Sequence, residues 1–246
     1  MPQKDFDLVI HGATGFTGRL VAEYMAARYP NAGHAEGIRW AMGGRSADKL
    51  AAVRDEIGAP ADTPLVVTDV QSPASLQQLM QRCHLVLSTV GPYQLYGNEL
   101  LAACAANGVH YVDLCGEPAW MRQMIDAHHA AAQQSGARIV FSCGFDSIPF
   151  DLGVFHLQQA FRQRHGHAAP RVRGRVRKMK GTFSGGTAAS LKATMAAAAK
   201  DPRVLDWLRN PFSLTPGFEG PKQPSGNKPM VDDALGQVNG EGIWVA

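Results

Sequence analysis

The sequence predicts an α/β fold in which a parallel sheet is covered by helices on both faces. Three observations carry that expectation. Apolar runs of strand length recur along the first half of the chain, at Phe6–Ile10, Ile38–Met42, Pro64–Val70, Leu85–Val90, His110–Leu114 and Arg138–Ser142. Between them lie segments of helical composition, so strand and helix alternate. The runs are continuously apolar, as strands buried on both faces must be. Finally, the carboxyl ends of these runs carry Gly12, Gly43, Gly91, Cys115 and Gly144. Ligands of such sheets bind beyond the carboxyl ends of the strands, so these turns gather on the functional edge.

The first strand leads into Gly12-Ala13-Thr14-Gly15-Phe16-Thr17-Gly18, and Arg19–Met25 follows with the composition of an amphipathic helix. Strand, glycine turn and helix in that order are the context of a dinucleotide fingerprint. Glycine lets the backbone turn tightly and approach a pyrophosphate. The helix N-terminus behind it offers unpaired N–H groups and the positive end of a dipole. The spacing is GxxGxxG, the variant associated with NADP-using relatives. Gly12, Thr14, Gly15, Phe16, Thr17 and Gly18 are the expected cofactor contacts.

The second strand sets the cofactor preference. An NAD site ends this strand with Asp or Glu, which accepts from the ribose 2′-hydroxyl. Here the run ends Gly43-Gly44-Arg45-Ser46. The planar fork of Arg45 suits a phosphate, Ser46 adds a hydroxyl, and Lys49 lies one turn into the next helix. The cofactor expected is NADP, although an Arg-Ser turn facing water has the same sequence. Asp69 closes the third run, where it either approaches the adenine or caps a turn.

Leu100–Asn107 is predicted helical with Gly108 as its stop, and Trp120–Ser135 with Gly136. At 246 residues the chain exceeds one ordinary domain. The boundaries expected are 1–150 for a nucleotide-binding domain of Rossmann type and 151–246 for part of a mixed α/β substrate domain. Ile243-Trp244-Val245-Ala246 reads as the start of a strand, so the second domain is expected to be incomplete.

A hydrophobic content of 45% suffices for a sizeable core. No 18-residue apolar run is present, so no transmembrane segment is expected, and Met1–Asp5 lacks a signal-peptide core. Cys83, Cys104, Cys115 and Cys143 include no CxxC pair, which fits free thiols in a reducing cytoplasm. The adjacent His128 and His129 point apart on a helix, and His165 and His167 flank a glycine. No metal site is expected.

The second half begins with a helix from Asp151 to about Arg164. In Arg171–Lys180, basic residues alternate with period two, so Arg171, Arg173, Arg175 and Arg177 would share one face of a strand. This segment holds six positive charges against a net +3 for the whole chain, so the remainder is net acidic. Basicity this concentrated argues against a nucleic-acid protein. The segment is either a solvated strand face or a docking face for an anionic partner, such as an acidic carrier protein or a coenzyme A phosphate. Gly181–Thr187 then precedes Ala188–Lys200, which is helical in composition. Ser184 or Thr187 can cap that helix, and the same geometry can make an anion or carbonyl site. Residues 210–230 are rich in proline and glycine and read as a loop, either a lid or a plain surface connection.

The chain resembles the saccharopine dehydrogenase-like oxidoreductases, close to the trans-acting enoyl reductases of bacterial lipid synthesis. GATGFTG at 12–18, GGRS at 43–46, STVGPYQLYG at 88–97, HYVDLCGE at 110–117, CGFDSIPFDLG at 143–153 and SGGT at 184–187 carry the resemblance. It implies a Rossmann domain followed by an inserted substrate domain, with a later return to the first domain that this sequence lacks. It implies an NADPH-dependent oxidoreductase, with Thr89, Val90, Gly91 and Pro92 beside the cofactor and Tyr96, Ser184, Gly185 and Thr187 toward substrate.

Reduction of a conjugated C=C bond leaves an enolate, so a proton donor and an oxyanion stabiliser are needed. Tyr93, directly after the fourth strand, is the first candidate for the donor; alternatively Pro92-Tyr93 only shapes the turn. Asp113, Glu117 and Asp146 lie near the ends of the fifth and sixth strands, where carboxylates orient nicotinamide or substrate, or satisfy loop N–H groups. Cys115 reads better as a small buried residue than as a nucleophile. The partners expected are a small-molecule or carrier-bound acyl substrate and a second copy of the chain in a homodimer. The competing readings are C=N or C=O chemistry on an amino acid, and a non-catalytic nucleotide-binding protein at lipid surfaces.

Overall fold

The computed structural model describes residues 4–30, 37–170, the even-numbered positions of 172–180, 185–218, 231–232 and 237–238. Six parallel strands form one sheet: β1 (Phe6–His11), β2 (Trp40–Gly44), β3 (Leu65–Val67), β4 (Cys83–Ser88), β5 (His110–Asp113) and β6 (Ile139–Val140). Their order in space is β3-β2-β1-β4-β5-β6. Strand order therefore reverses between β1 and β4, and the crevice at that switch point is where this class of sheet binds its ligand.

The crossover helices divide between the two faces of the sheet. One face packs on α1 (Phe16–Arg28) and α2 (Ala47–Glu56) through Ile10, Trp40 and Met42, against Ala22, Met25 and Leu50. The other packs on α3 (Pro73–Arg82), α5 (Asn98–Asn107) and α6 (Pro118–Ser135) through Val9, Ala41, Val66, Val86 and Tyr111. Burying each such side chain contributes roughly 1.5–3 kcal/mol, so the sheet is where most of the stabilisation resides. The helix ends follow the sequence: Ser46 and Ser72 cap α2 and α3, accepting from Lys49 N and Ser75 N, and Gly108 and Gly136 close α5 and α6 in the left-handed region.

The strands shorten where side chains take over the backbone pairing. The third run was expected to span Pro64–Val70, but β3 ends at Val67. Asp69 Oδ1 accepts from Gln71 N at 3.0 Å and Ser75 Oγ from Asp69 N at 3.0 Å, which turns the chain away. The sixth run, expected over Arg138–Ser142, pairs only at Ile139 and Val140, because Ser142 adopts φ 56° and breaks the extended course.

Beyond the sheet lie α7 (Ile148–His165), α8 (Gly185–Lys200) and α9 (Pro202–Arg209), with a two-stranded ribbon of β7 (Val231–Asp232) and β8 (Gln237–Val238). A short helix, α4 (Tyr93–Tyr96), follows β4. The composition gave no sign of α4 or α9. In α9, Val204 is buried and the helix packs between α6 and α8. The arginines of the basic segment and Ser184 lie outside the described residues. Among the described residues no helix is long and apolar enough to cross a membrane.

Candidate functional site

The three glycines of the first turn have three different jobs. Gly12 sits at φ 91°, and an added Cβ would lie 2.7 Å from Thr89 Oγ1. Only glycine fits that backbone, and it lets Gly12 N and Ala13 N both donate to Gly43 O at 2.9 and 3.0 Å. At Gly18, a Cβ would collide with the backbone oxygen of Gly12, so this glycine packs α1 against the turn. Gly15 is different. Its φ is −81°, and an added Cβ would meet only Gly12 O, at 3.3 Å. Nothing in the fold demands a glycine there as strongly, and the space beside it stays open. Gly15 is also the N-cap of α1 and offers no side chain to the first N–H groups of the helix. An open cradle under an uncapped helix start fits a pyrophosphate. Thr14, Phe16 and Thr17 border it; Thr14 and Phe16 are exposed, Phe16 at 76%.

β4 braces this turn. Thr89 N donates to His11 O at 3.0 Å, and Thr89 Oγ1 lies 3.1 and 3.2 Å from the carbonyls of His11 and Gly12. Thr89 therefore holds the glycine turn through its side chain, while Val90 and Gly91 continue along the switch-point crevice.

At the end of β2, Arg45 is exposed and forms no ion pair among the described residues. Lys49 is exposed one turn on, and the Ser46 hydroxyl is used as the α2 cap at 3.3 Å. Ser46 thus has a structural duty beside any ligand contact. Asp69 is exposed but accepts from Gln71 N, the turn-capping alternative. Nearby His11 is 3% exposed, and its Nδ1 has no hydrogen-bond partner. Burial, with the Arg45 charge as a second cause, holds the His11 pKa down at about 4, below the usual 6.5. Unfolded chains therefore bind more protons than folded ones between those values, so His11 makes stability rise with pH across that window. Over 2.5 units this amounts to about 3 kcal/mol. A His11→Phe protein is expected to show that much less acid destabilisation between pH 6.5 and 4 in urea melts. Parallel stability-against-pH curves for the two proteins would remove His11 as the cause.

The carboxyl ends of β5 and β6 are stitched by a buried polar network. Asp113 is 2% exposed, and its Oδ1 accepts from Cys115 N at 3.0 Å and from Ser142 N at 2.9 Å. Tyr111 donates its phenol to Oδ2 at 3.0 Å. Desolvation still raises the Asp113 pKa above the usual carboxylate value. These bonds pull the end of β6 onto β5 and hold Ser142 in its left-handed conformation, a type of strain that clusters at functional edges.

Tyr93, the first candidate for the proton donor, has the surroundings of the alternative, a residue that shapes the turn. It is 5% exposed, its phenol donates to Ser88 O at 3.1 Å, and the phenol oxygen accepts from Leu114 N at 3.4 Å. Burial pushes its pKa far above the ordinary tyrosine value. The hydroxyl is a strut between the carboxyl ends of β4 and β5. Its ring stacks on Trp120 at 5.4 Å, and Gly97 is glycine because a Cβ would lie 2.7 Å from the Trp120 ring. Tyr93→Phe is expected to cost about 1–3 kcal/mol in denaturant unfolding, with turnover by the folded protein within a few-fold of wild type. A loss above 100-fold at unchanged NADPH affinity would restore the donor role.

Glu117 is likewise no solvent-facing catalyst. It is 1% exposed and accepts from Tyr93 N, Gln94 N and Ser190 Oγ at 2.8, 3.0 and 2.7 Å. Asp146, by contrast, is exposed beyond β6, and Tyr96 is 48% exposed on α4. Gly185 and Thr187 open α8 and are exposed. Cys115 is buried with its Sγ accepting from Glu117 N at 3.3 Å, and burial raises its thiol pKa, as a structural residue requires. Sequence reasoning passed over Ser142, Gln94, Ser190 and Thr194. Only the left-handed φ of Ser142 singles that residue out, and no local pattern announces it.

A glycine turn at a switch point and an arginine in place of the ribose-binding acid define a nucleotide-binding domain of the NADP-using class. The chain belongs to the saccharopine dehydrogenase NADP-binding domain family, which matches residues 8–140. A Mycobacterium tuberculosis protein bearing the name trans-acting enoyl reductase is 41% identical over 247 aligned residues, covering 99% of this chain and 57% of that protein. A trans-acting enoyl reductase of Mycobacterium ulcerans is 41% identical over 215, covering 87% and 50%. The chain thus spans about half the length of these relatives. Among solved structures, apo saccharopine dehydrogenase from Saccharomyces cerevisiae aligns with a TM-score of 0.44 at 13% identity, covering 64% of this chain and 32% of that one.

Proposed function

We propose that this chain is the cofactor-binding half of an NADPH-dependent reductase that saturates the C=C bond of an enoyl lipid intermediate. The observation that carries it is the open cradle at Gly15 beneath the uncapped start of α1, with Arg45 exposed at the neighbouring strand end. The name shared by the mycobacterial relatives supports the acyl C=C bond as the target.

In this reading the N–H groups of Phe16, Thr17 and Gly18 hold the pyrophosphate, and Arg45 with Lys49 takes the 2′-phosphate. The bound dinucleotide supplies the reducing equivalent. Thr89 keeps the turn in shape, and Val90, Gly91 and Pro92 line the reacting end. Tyr96, Asp146 and Thr187, all exposed, are the residues assigned in this reading to orient substrate or deliver a proton. The buried Tyr93, Asp113 and Glu117 fix the floor on which they stand.

The test is NADPH oxidation by the full-length protein over a panel of enoyl thioesters and imino acids. Turnover of enoyl thioesters alone is expected. Turnover of imino acids alone would move the assignment to saccharopine-type chemistry, and no turnover of either with intact NADPH binding would favour a binding protein. A carrier-bound acyl substrate docking on Arg171, Arg173, Arg175 and Arg177 belongs to the same proposal, and the Michaelis constant for it is expected to rise with salt. The expected cytoplasmic location rests on four unpaired cysteines, and the homodimer on the sequence reading alone.

A further inference from the structure

Glu117 joins the two halves of the chain. Its Oε1 accepts both the Tyr93 N–H at 2.8 Å and the Ser190 hydroxyl at 2.7 Å, and its Oε2 accepts the Gln94 N–H at 3.0 Å. Tyr93 and Gln94 follow directly on Gly91 and Pro92, the end of the crevice assigned above to the reacting part of the cofactor. Ser190 lies on α8, 73 positions from Glu117. One turn farther along α8, Thr194 Oγ1 accepts from Gln94 Nε2 at 3.3 Å. Ser190 and Thr194 are four residues apart and share a helix face. That face meets the turn twice, once through the carboxylate and once directly.

The rest of the helix explains why these bonds matter. α8 has no fully buried side chain, and its Leu191 and Met195 are 62% and 67% exposed. Its seating on the first half therefore rests on the two polar links and on its packing with α9. A carboxylate 1% exposed must have its lone pairs satisfied, because leaving one without a donor costs the desolvation of a charged group. Losing Ser190 from Oε1 redistributes the hydrogen bonding of the same oxygen that holds Tyr93 N. The helix and the turn are thus tied to one atom.

We propose that Glu117 is a positioning residue that couples the seating of α8 to the turn Gly91–Gln94, so that the cofactor-facing turn and the helix carrying Leu191 and Met195 are ordered together. Coupling of this kind is reciprocal: what orders the turn seats the helix, and what seats the helix orders the turn. The structural part stands on the hydrogen bonds alone; the link to cofactor rests on the NADP reading.

Amide hydrogen exchange on the full chain tests it, because the Tyr93 and Gln94 N–H groups are themselves the reporters. Without ligand, Ser190→Ala is expected to speed exchange in α8 and, together with it, at Tyr93 and Gln94, by about 5-fold or more. Ser190→Thr, which keeps the hydroxyl, restores both. Wild-type exchange at Tyr93 and Gln94 in Ser190→Ala would overturn the coupling, since Glu117 would then brace its own loop and nothing more. With NADPH added, slowed exchange at Gly15–Gly18 reports cofactor binding by itself. Given that response, α8 is expected to slow in the wild type and not in Ser190→Ala. An α8 that responds equally in both proteins counts against the proposal, whereas silence at Gly15–Gly18 counts only against the NADP reading and leaves the ligand-free result to decide the coupling.

Discussion

A Gly15→Val protein is expected to fold and to lose NADPH, whereas Gly18→Ala is expected to lose the fold's margin itself. The two glycines sit three residues apart in one motif, yet their surroundings differ. The Cβ of a residue at 15 meets one atom, Gly12 O at 3.3 Å, on a backbone any residue adopts. Its valine branches then extend into the open cradle. The stability change is expected within about 1 kcal/mol, while loss of the charge-assisted N–H contacts to a pyrophosphate costs about 3 kcal/mol or more, above 100-fold in affinity. At position 18 even a methyl group strikes the Gly12 backbone, which cannot move without breaking its bonds to Gly43 O. That overpacking is expected to cost about 3 kcal/mol, a fall in Tm of roughly 6–12 °C for a chain of this size. Thermal melts with and without NADPH separate the two, because a ligand at 100 times its Kd stabilises by about 2.7 kcal/mol. A Gly15→Val protein that keeps the wild-type ligand shift would refute the cradle, and a Gly18→Ala protein with a wild-type Tm would refute the packing argument.

The contrast between those glycines marks the reach of the sequence. That Gly12–Gly18 forms a turn between strand and helix was legible, because apolar runs and glycine spacing are local signals. Which glycine packs and which stands open was not, since Thr89 and Val90 close on Gly12 from more than 70 positions away. The same holds for the carboxylates. The segment HYVDLCGE shows that Asp113 and Glu117 lie at a strand end. It does not show that Ser142 N, 29 residues on, folds back onto Asp113, or that Ser190 reaches Glu117 across 73. Exposed polar residues at strand ends read as chemistry; buried ones at the same place are struts, and only tertiary packing separates them. Tyr93 shows this: its position suits a donor, while its burial suits the alternative reading, a residue that shapes the turn. The short α4 escaped for a different one: four residues after Pro92 hold no helical periodicity, and their first N–H groups are satisfied by Glu117 from another segment.

Arg45→Ala is expected to weaken NADPH binding about 10- to 150-fold and to leave NADH nearly unchanged. The argument starts from what the position lacks. Ribose recognition in NAD sites uses a carboxylate at the end of the second strand. Here Gly44 is buried in that place, and the next side chain is an exposed guanidinium. A carboxylate would repel a 2′-phosphate, while a guanidinium meets it with paired donors. Losing one such contact costs roughly 1.5–3 kcal/mol, and each 1.4 kcal/mol is tenfold. NADH has no 2′-phosphate, so its affinity does not depend on the contact. Exposure also predicts salt dependence: the NADPH advantage of the wild type shrinks as ionic strength rises, and that of Arg45→Ala, which keeps only Lys49 at the phosphate, shrinks less. Arg45→Lys keeps the charge without the planar fork and is expected to fall between the two. The fold is unaffected, because Ser46 and not Arg45 caps α2. Titration calorimetry of the three proteins with both cofactors decides the matter. Equal losses for NADPH and NADH would place Arg45 at the pyrophosphate or outside the site. No loss for either would leave the cofactor preference to residues other than the one at the strand end.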